Sequence, residues 1–323
     1  MKLDVSPRVG VATARIALAQ LAERLGLRVP AEARPGADLW ARSVDGLPWP
    51  GPAPLLPTGD GWVHPGPPTA WSAFTDMVVA LGAPPVRGGA VVPDLGGLTA
   101  EAIDAEAGEW MLPAVAVRAA PARPAFVPSV ASTDVSGATV VVLGTAWATP
   151  LVGMMLARLG ARVVRVEHPG RRDPFPLHGR LLHGQDRLDL DLGRPDERDH
   201  FAALLGNADL LVDGHTPRVL ANVGLAETTL TAMAPRLSIV RIAALEDDDR
   251  PGYGPAAEAR GGWAARHDPP RLGRSSLADP VAGMIGALTA VDVLTAQAPG
   301  ARARVSLEGA VGHLVAAEMR PRG

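Results

Sequence analysis

The stretch ATVVVLGTAWATPLVGMMLARLGARVVRVE, residues 138–167, decides the fold. It begins with an apolar run that is typical of a buried parallel strand. A helix-like segment follows from Pro150 to Gly160, and a second apolar run ends at Glu167. A strand, a helix and a strand within about 30 residues form a βαβ unit. The sequence therefore predicts a parallel sheet in this region.

The same alternation of strand-like and helix-like segments continues after this unit, and it is typical of a doubly wound sheet. The predicted strands are 162–167, 187–192, 209–213, 237–243 and the first part of 303–318. The predicted helices are 150–160, 195–206, 217–222, 227–234, 280–297 and the second part of 303–318. The helix at 280–297 is apolar on nearly all sides, so we expect it to be buried. The fold class predicted for residues 137–323 is α/β, with a Rossmann-like doubly wound parallel sheet.

A smaller N-terminal α+β part is predicted over residues 1–136. Helical patterns cover 9–26, 69–83 and 98–112, and Thr99 stands where the N-cap of the last helix belongs. Residues 60–66 read as a short strand, and the Pro- and Gly-rich segment 29–60 reads as irregular structure. Segment 119–136 contains three prolines and no periodicity, which indicates the boundary between the two parts.

Composition excludes several classes of function. A net charge of −3 argues against a basic surface for nucleic acid. The absence of cysteine excludes disulfides, thiolate catalysis and cysteine metal sites. The eight histidines follow none of the usual metal-site spacings, so no metal site is predicted. No charged-then-apolar leader pattern and no uninterrupted apolar run of about 18 residues is found, so we predict a cytoplasmic protein without a membrane partner.

The turn after the first strand does not suit a dinucleotide. A pyrophosphate site needs a glycine-rich turn because the backbone must approach the phosphates closely. Here Gly144 is followed by Thr-Ala-Trp-Ala-Thr-Pro, and Trp147 would fill the space of the phosphates. Glu167 does end the second strand, where a ribose-binding acid belongs. One acid without the glycines argues against NAD or FAD.

Residues 137–318 resemble the class III CoA-transferases, the family of formyl-CoA transferase, carnitine CoA-transferase and α-methylacyl-CoA racemase. The opening stretch and the residues HPG that follow it, 138–170, are similar to one continuous part of that family's sequence. That part comprises the first strand, an A-G-P turn, a helix ending in L-G-A and a strand ending in V-E-x-P-G. Further similar segments follow in the family's order: RLDLDL with LLVDGHTPRVL, then APRLSIVRIAAL, PGYGPAAEARGG and LADPVAGMIGAL. The last of these is similar to the family's A-D-x-x-A-G helix.

The resemblance implies a nucleophile. In the transferases the aspartate of A-D-x-x-A-G attacks an acyl-CoA thioester, forms a mixed anhydride and then becomes an aspartyl-CoA thioester. The matching residue is Asp279. A carboxylate near a helix N-terminus would be favoured in its ionised form, although the residues alone allow Asp279 to be a simple N-cap. Tyr253 matches the transferases at a position where the racemases carry histidine, and on the residues alone it could equally be a packing residue.

The resemblance also implies contacts with CoA. The turn after the first strand is expected along the pantetheine, and His168 is expected to stack on the adenine. The implied binding residues are Ala146, Trp147, Ala148, His168, Leu182, Gln185, His215 and Val223.

Several positions depart from the family pattern. Gln185 replaces a lysine, Gly214 and His215 replace Asn-Phe, Asn222 replaces an arginine, and Gly254 replaces the acid after the tyrosine. Losing such contacts lowers affinity for the phosphates of CoA. Arg218 keeps a positive charge in the segment that contains His215. The arginines that could compensate, or simply lie at the surface, are Arg165, Arg171, Arg172 and Arg187.

Three hypotheses about function follow. The first is an acyl-CoA enzyme that moves CoA between carboxylic acids, with CoA and acyl-CoA as substrates and no tightly bound cofactor. The second is a non-catalytic or partner subunit of such a complex, which the lost contacts favour. The third is an isomerase, racemase or lyase on the same scaffold, with Asp279 as acid/base. The family forms interlocked dimers, so we expect a homodimer or a heterodimer.

Overall fold

The computed structural model describes residues 7–28, 55–85, 92–119, 123–144, 147–171, 178–273, 277–296 and 298–319. Most of the predicted irregular segment 29–60 therefore lies outside the described residues. The other predicted elements are found close to their expected positions.

The N-terminal part consists of helices and a small antiparallel sheet. Its elements are helix α1 (Pro7–Arg24), strands β1 (Leu56–Pro57) and β2 (Trp62–His64), a 3-10 turn (Pro68–Ala70), helices α2 (Trp71–Ala80) and α3 (Ala100–Glu109), and strand β3 (Val115–Ala116). Strand β2 pairs with both β1 and β3. The predicted N-cap of α3 is confirmed, because Thr99 Oγ1 accepts a hydrogen bond from Ala102 N at 3.1 Å.

The second part is the predicted doubly wound sheet. Its strands are β4 (Thr139–Leu143), β5 (Arg162–Glu167), β6 (Asp186–Asp189), β7 (Leu210–Asp213), β8 (Ser238–Ala243) and β9 (Arg302–Ser306). They are parallel and run in the order β6-β5-β4-β7-β8-β9. The order reverses between β4 and β7, and in open α/β sheets ligands bind beyond the carboxyl ends of the strands at such a switch point.

Helices cover both faces of this sheet. They are α4 (Ala148–Arg158), α5 (His178–Leu181), α6 (Pro195–Gly206), α7 (Pro217–Asn222), α8 (Glu227–Met233), α9 (Gly254–Arg260), α10 (Ala278–Thr295) and α11 (Leu307–Met319), with a 3-10 turn at Ala264–Arg266. Strand β6 is shorter than the predicted 187–192. After Asp189 the chain turns, and Asp191 Oδ1 accepts a hydrogen bond from Gly193 N at 2.9 Å.

Helix α10 is the centre of the large core, as its all-round apolar sequence predicts. It packs against α1, α4, α11 and β8. A Cβ atom on Gly283 would lie 2.8 Å from Leu151, and one on Gly286 would lie 2.8 Å from Ile242, so glycine permits this close packing. Among the described helices, α10 is long and apolar enough to cross a membrane, and 67% of it is buried inside the protein, as in a core helix.

The N-terminal part contacts the large core through α1. Leu18, Leu21 and Leu25 belong to the same buried cluster as α10. The remaining N-terminal elements have a core of their own around Phe74 and Ile103. Residues 123–136 contain no helix or strand. The division into 1–136 and 137–323 stays a prediction.

Candidate functional site

A cavity of about 210 Å³ lies beyond the carboxyl ends of β7 and β8, next to the switch point of the sheet. It is bounded by the start of α4, the turn after β7, the end of β8 with the loop that follows it, and the first turn of α10. The lining residues are 147–149, 214–217, 241–244, 248–253, Asp279 and Leu307.

Asp279 lies in the first turn of α10 and lines this cavity. The N-cap position is occupied by Leu277, whose side chain makes no capping hydrogen bond. Asp279 is therefore inside the helix, and the alternative that it is the N-cap is wrong. A carboxylate in the first helical turn interacts favourably with the positive end of the helix dipole. The half-buried side chain is thus placed where an ionised carboxylate can face a ligand.

Tyr253 lines the same cavity from the loop between β8 and α9. It is the N-cap residue of α9, in extended conformation, and 44% of it is exposed. The loop is close to the end of β8, because a Cβ atom on Gly252 would lie 2.7 Å from that of Ala244. Asp279 and Tyr253 come from distant parts of the sequence, and the fold brings them to one cavity.

Glu258 of α9, which was not predicted from the sequence, supports the start of α10. Its side chain is buried; Oε1 accepts a hydrogen bond from Leu277 N at 3.0 Å and Oε2 accepts one from Gly273 N at 2.9 Å. Burial raises the pKa of Glu258 to about 7, the two backbone donors oppose this rise, and the nearby charge of Asp279 adds to it. The only signal in the sequence is one acid among alanines in PAAEA.

Glu258→Gln is expected to change how stability depends on pH. The folded-state pKa is raised from 4.5 to about 7, so the folded protein holds a proton that the unfolded chain has already lost. Wild-type stability should therefore fall by up to about 3 kcal/mol as pH rises from about 5 to 8. The variant cannot titrate, so this part of the decline should disappear from urea unfolding curves. The exposed Glu23→Gln serves as control, and a decline in Glu258→Gln as steep as in the wild type contradicts the prediction.

The turn after β7 brings a histidine and a buried aspartate together. Asp213 is fully buried; its Oδ1 accepts a hydrogen bond from His215 N at 2.9 Å and lies 3.1 Å from His215 Nδ1. Arg241 Nη2 lies 3.7 Å from Asp213 Oδ2 and 3.6 Å from the carboxylate of Glu227. His215 and Arg241 line the cavity. His215 was predicted from the sequence as a CoA contact, whereas Asp213 and Arg241 were not predicted.

Backbone contact between two turns fixes this arrangement. A Cβ atom on Gly214 would lie 2.3 Å from Thr149 Oγ1, and one on Gly144 would lie 3.2 Å from Gly214 Cα. Gly144 also has φ of 134°, which a side chain rarely allows. The glycines in these turns thus bring the ends of β4 and β7 together, and they place Trp147 and Ala148 beside His215 at the cavity.

The other residues predicted to bind CoA lie elsewhere or outside the described residues. His168 Nε2 is 3.4 Å from Asp191 Oδ1, and Gln185 Nε2 donates to the carbonyls of Pro150 and Leu181. Leu182 and Val223 do not line the cavity, and Val223 packs against the core beneath α7. Ala146 lies outside the described residues. A CoA contact at these positions stays a prediction.

Two of the compensating arginines are engaged within the sheet. Arg165 is fully buried, with Nε 2.8 Å from Glu167 Oε1 and Nη2 donating to the carbonyl of Gly144. Arg187 Nε donates to Asp189 at 2.9 Å and lies 3.3 Å from Glu167. The hydrogen bond from Arg165 to Gly144 holds the turn after β4, and the Arg187–Glu167 ion pair joins β5 to β6. Arg171 is exposed, and Arg172 lies outside the described residues.

Within the described residues, no group of three or more His, Cys, Asp and Glu side chains is arranged to hold a metal ion. The reactive groups that line the cavity are carboxylates, a phenol, an imidazole and guanidinium groups. They belong to Asp279, Asp248, Asp249, Tyr253, His215, Arg241 and Arg250.

The sequence of this chain is similar to a known protein family and to several curated CoA-transferases. The model of the family described as CoA-transferase family III matches residues 135–320. The succinyl-CoA–D-citramalate CoA-transferase of Chloroflexus aurantiacus is 30% identical over 173 residues, which cover 47% of this chain and 43% of that protein. The formyl-CoA:oxalate CoA-transferase of Afipia carboxidovorans is 25% identical over 193 residues, which cover 53% of this chain and 46% of that protein. The chain thus spans less than half the length of these curated relatives.

A solved structure shares the fold. The crystal structure of Rv3272 from Mycobacterium tuberculosis is 22% identical, with a TM-score of 0.51 over 62% of this chain and 59% of that one.

Proposed function

Because the chain belongs to CoA-transferase family III, we propose that it binds an acyl-CoA and transfers CoA between carboxylic acids through an intermediate on Asp279. One observation carries this proposal: Asp279 lies in the first turn of α10 and lines the switch-point cavity together with Tyr253. A carboxylate at a helix N-terminus has the charge and the access that a nucleophile needs.

The proposed reaction has balanced steps. The Asp279 carboxylate attacks the thioester carbonyl, the C–S bond breaks, and CoA thiolate leaves a mixed anhydride. The thiolate then attacks the Asp279 carbonyl carbon and releases the donor acid, which leaves an aspartyl-CoA thioester. The acceptor carboxylate attacks this thioester, and the returning thiolate forms the new acyl-CoA and frees Asp279. Glu258 positions the helix start on which these steps depend.

The pantetheine end of CoA is proposed to lie along Trp147 and Ala148, which line the cavity. The adenine is proposed to lie near His168, outside the cavity. Relatives include the separately named alpha and beta subunits of succinyl-CoA–L-malate CoA-transferase of Chloroflexus aurantiacus. We therefore propose a homodimer or heterodimer. We also propose that the protein works in the cytoplasm.

A second candidate is a non-catalytic partner subunit. Gly254 supports it, because the residue after Tyr253 has no side chain to act on a substrate. The two candidates differ in whether the isolated chain forms an Asp279 adduct.

Calorimetric titration with CoA and acetyl-CoA is the first test. Binding with a micromolar dissociation constant is expected if the cavity accepts the thioester. Absence of binding up to millimolar CoA would contradict the proposal for the isolated chain. Next, the protein is incubated with succinyl-CoA and a panel of acceptors that includes malate and oxalate. A new acyl-CoA and a CoA adduct on the peptide containing Asp279 are expected in mass spectra. Binding without any adduct or product favours the partner subunit.

A further inference from the structure

CoA transfer does not explain the histidine of the cavity. Each transfer step uses a carboxylate or a thiolate as nucleophile, so no proton has to move. Yet His215 lines the cavity together with Asp279. Its position in the turn after β7 is fixed by Asp213, a buried acid with no place in the transfer steps.

The hydrogen bonds assign the tautomer of His215. Asp213 Oδ1 lies 3.1 Å from His215 Nδ1 and also accepts the backbone N–H of His215. A carboxylate oxygen accepts hydrogen bonds, so Nδ1 is the donor to Asp213, and in the neutral ring the lone pair is then on Nε2. Arg241 Nη2, at 3.7 Å from Oδ2, supplies a counter-charge to the buried carboxylate. This is the arrangement by which an aspartate orients a histidine that acts as a general base.

Water has access to this histidine. The side chain of His215 is 32% exposed, and Tyr253 on the same cavity is 44% exposed. A base held at a solvent-accessible cavity beside a thioester can take a proton from water. Asp279, by contrast, needs no base to become a nucleophile.

We propose that His215, positioned by Asp213, activates water in this cavity and gives the protein a second activity, acyl-CoA hydrolysis. This rests on the acyl-CoA binding of the proposed function but not on the Asp279 intermediate. Nε2 of His215 takes a proton from water while the water oxygen attacks the thioester carbonyl carbon. The C–S bond breaks, the CoA thiolate takes the proton back from the imidazolium, and a carboxylic acid and CoA thiol are released.

Thiol release from acetyl-CoA and succinyl-CoA tests this directly. The chain has no cysteine, so every thiol detected comes from CoA. His215→Gln is expected to lower the turnover number for hydrolysis about 100-fold or more, and Asp213→Asn should lower it similarly while KM stays near the wild-type value. Exposed His200→Gln on α6 is the matched control. Imidazole added to His215→Ala should restore part of the hydrolysis, which a purely structural role would not allow.

The outcomes separate the two proposals. Hydrolysis that depends on His215 in a protein without transfer activity overturns transfer and supports this inference. A wild-type protein that binds acyl-CoA but releases no thiol, or a His215→Gln protein as fast as the wild type, overturns the inference. Failure to bind acyl-CoA overturns both.

Discussion

Asp279→Asn is expected to reduce CoA transfer by about 10³-fold or more, the largest effect of any single substitution in the cavity. Asparagine has nearly the shape of aspartate, so the first turn of α10 and the hydrogen bonds of Glu258 should remain. An amide, however, is not a nucleophile toward a thioester, and no anhydride can form. Transfer is measured by chromatography of acyl-CoA products, and the Asp279 adduct should vanish from mass spectra.

Asp292→Asn provides the matched control, because it makes the same chemical change further along the same helix. It should transfer CoA like the wild type. Removing the charge at position 279 should also lower the pKa of Glu258, since that charge contributes to its raised value. The decline of stability with rising pH that Glu258 causes should accordingly be smaller in Asp279→Asn, and it should be complete at a lower pH than in the wild type. Transfer retained by Asp279→Asn would contradict the proposed nucleophile.

The large sheet could be predicted because its signals are local. An apolar run such as 139–143, or the long apolar segment that forms α10, is recognised from residues that are neighbours within one element. The doubly wound arrangement followed from the alternation of strands and helices, and the resemblance supplied Asp279 and Tyr253 as candidate site residues. The observed limits of the elements differ from the predicted ones by a few residues. Strand β6, for example, ends early because Asp191 closes a turn after it.

The support of the site could not be predicted, because it depends on contacts between distant residues. Glu258 gains its role from backbone donors at Gly273 and Leu277, which are loop and cap positions with no sequence signature. In the sequence, Asp213 is only the last residue of an apolar strand. Its hydrogen bonds with His215 depend on the conformation of the turn that follows, which the sequence does not specify. The packing of α1 on α10 likewise could not be predicted, since the sequence of an amphipathic helix does not specify which element its apolar face contacts.

The N-terminal part, which precedes the residues matched by the family, holds the cavity loop through a buried ion pair. Arg250, in the loop that lines the cavity, is 3% exposed. Its Nη1 donates to the carbonyls of Asp104 at 2.8 Å and Ala114 at 3.0 Å, and its Nη2 donates to Asp104 Oδ1. Asp104 Oδ2 accepts a hydrogen bond from Ala116 N at 3.2 Å. The loop that carries Tyr253 thus depends on α3 and β3.

Asp104→Ala is expected to destabilise the protein by about 3–5 kcal/mol, because it leaves buried Arg250 without its main partner. Urea unfolding measures the loss, and exposed Glu101→Ala on the same helix, expected to cost less than about 1 kcal/mol, is the control. CoA transfer should fall as well, since the loop before Tyr253 loses its anchor.

A double variant measures the contribution of the Asp104–Arg250 ion pair separately from the loss of side-chain packing. Arg250→Met with Asp104→Ala removes both charges, so it should be more stable than Asp104→Ala alone, with a coupling energy of about 1–3 kcal/mol. An Asp104→Ala protein as stable as Glu101→Ala would show that Asp248, whose Oδ2 lies 2.7 Å from Arg250 Nε, is a sufficient partner. The Asp104 side chain would then have no share in holding the cavity loop, and the contact between Arg250 and α3 would rest on the backbone carbonyl of Asp104.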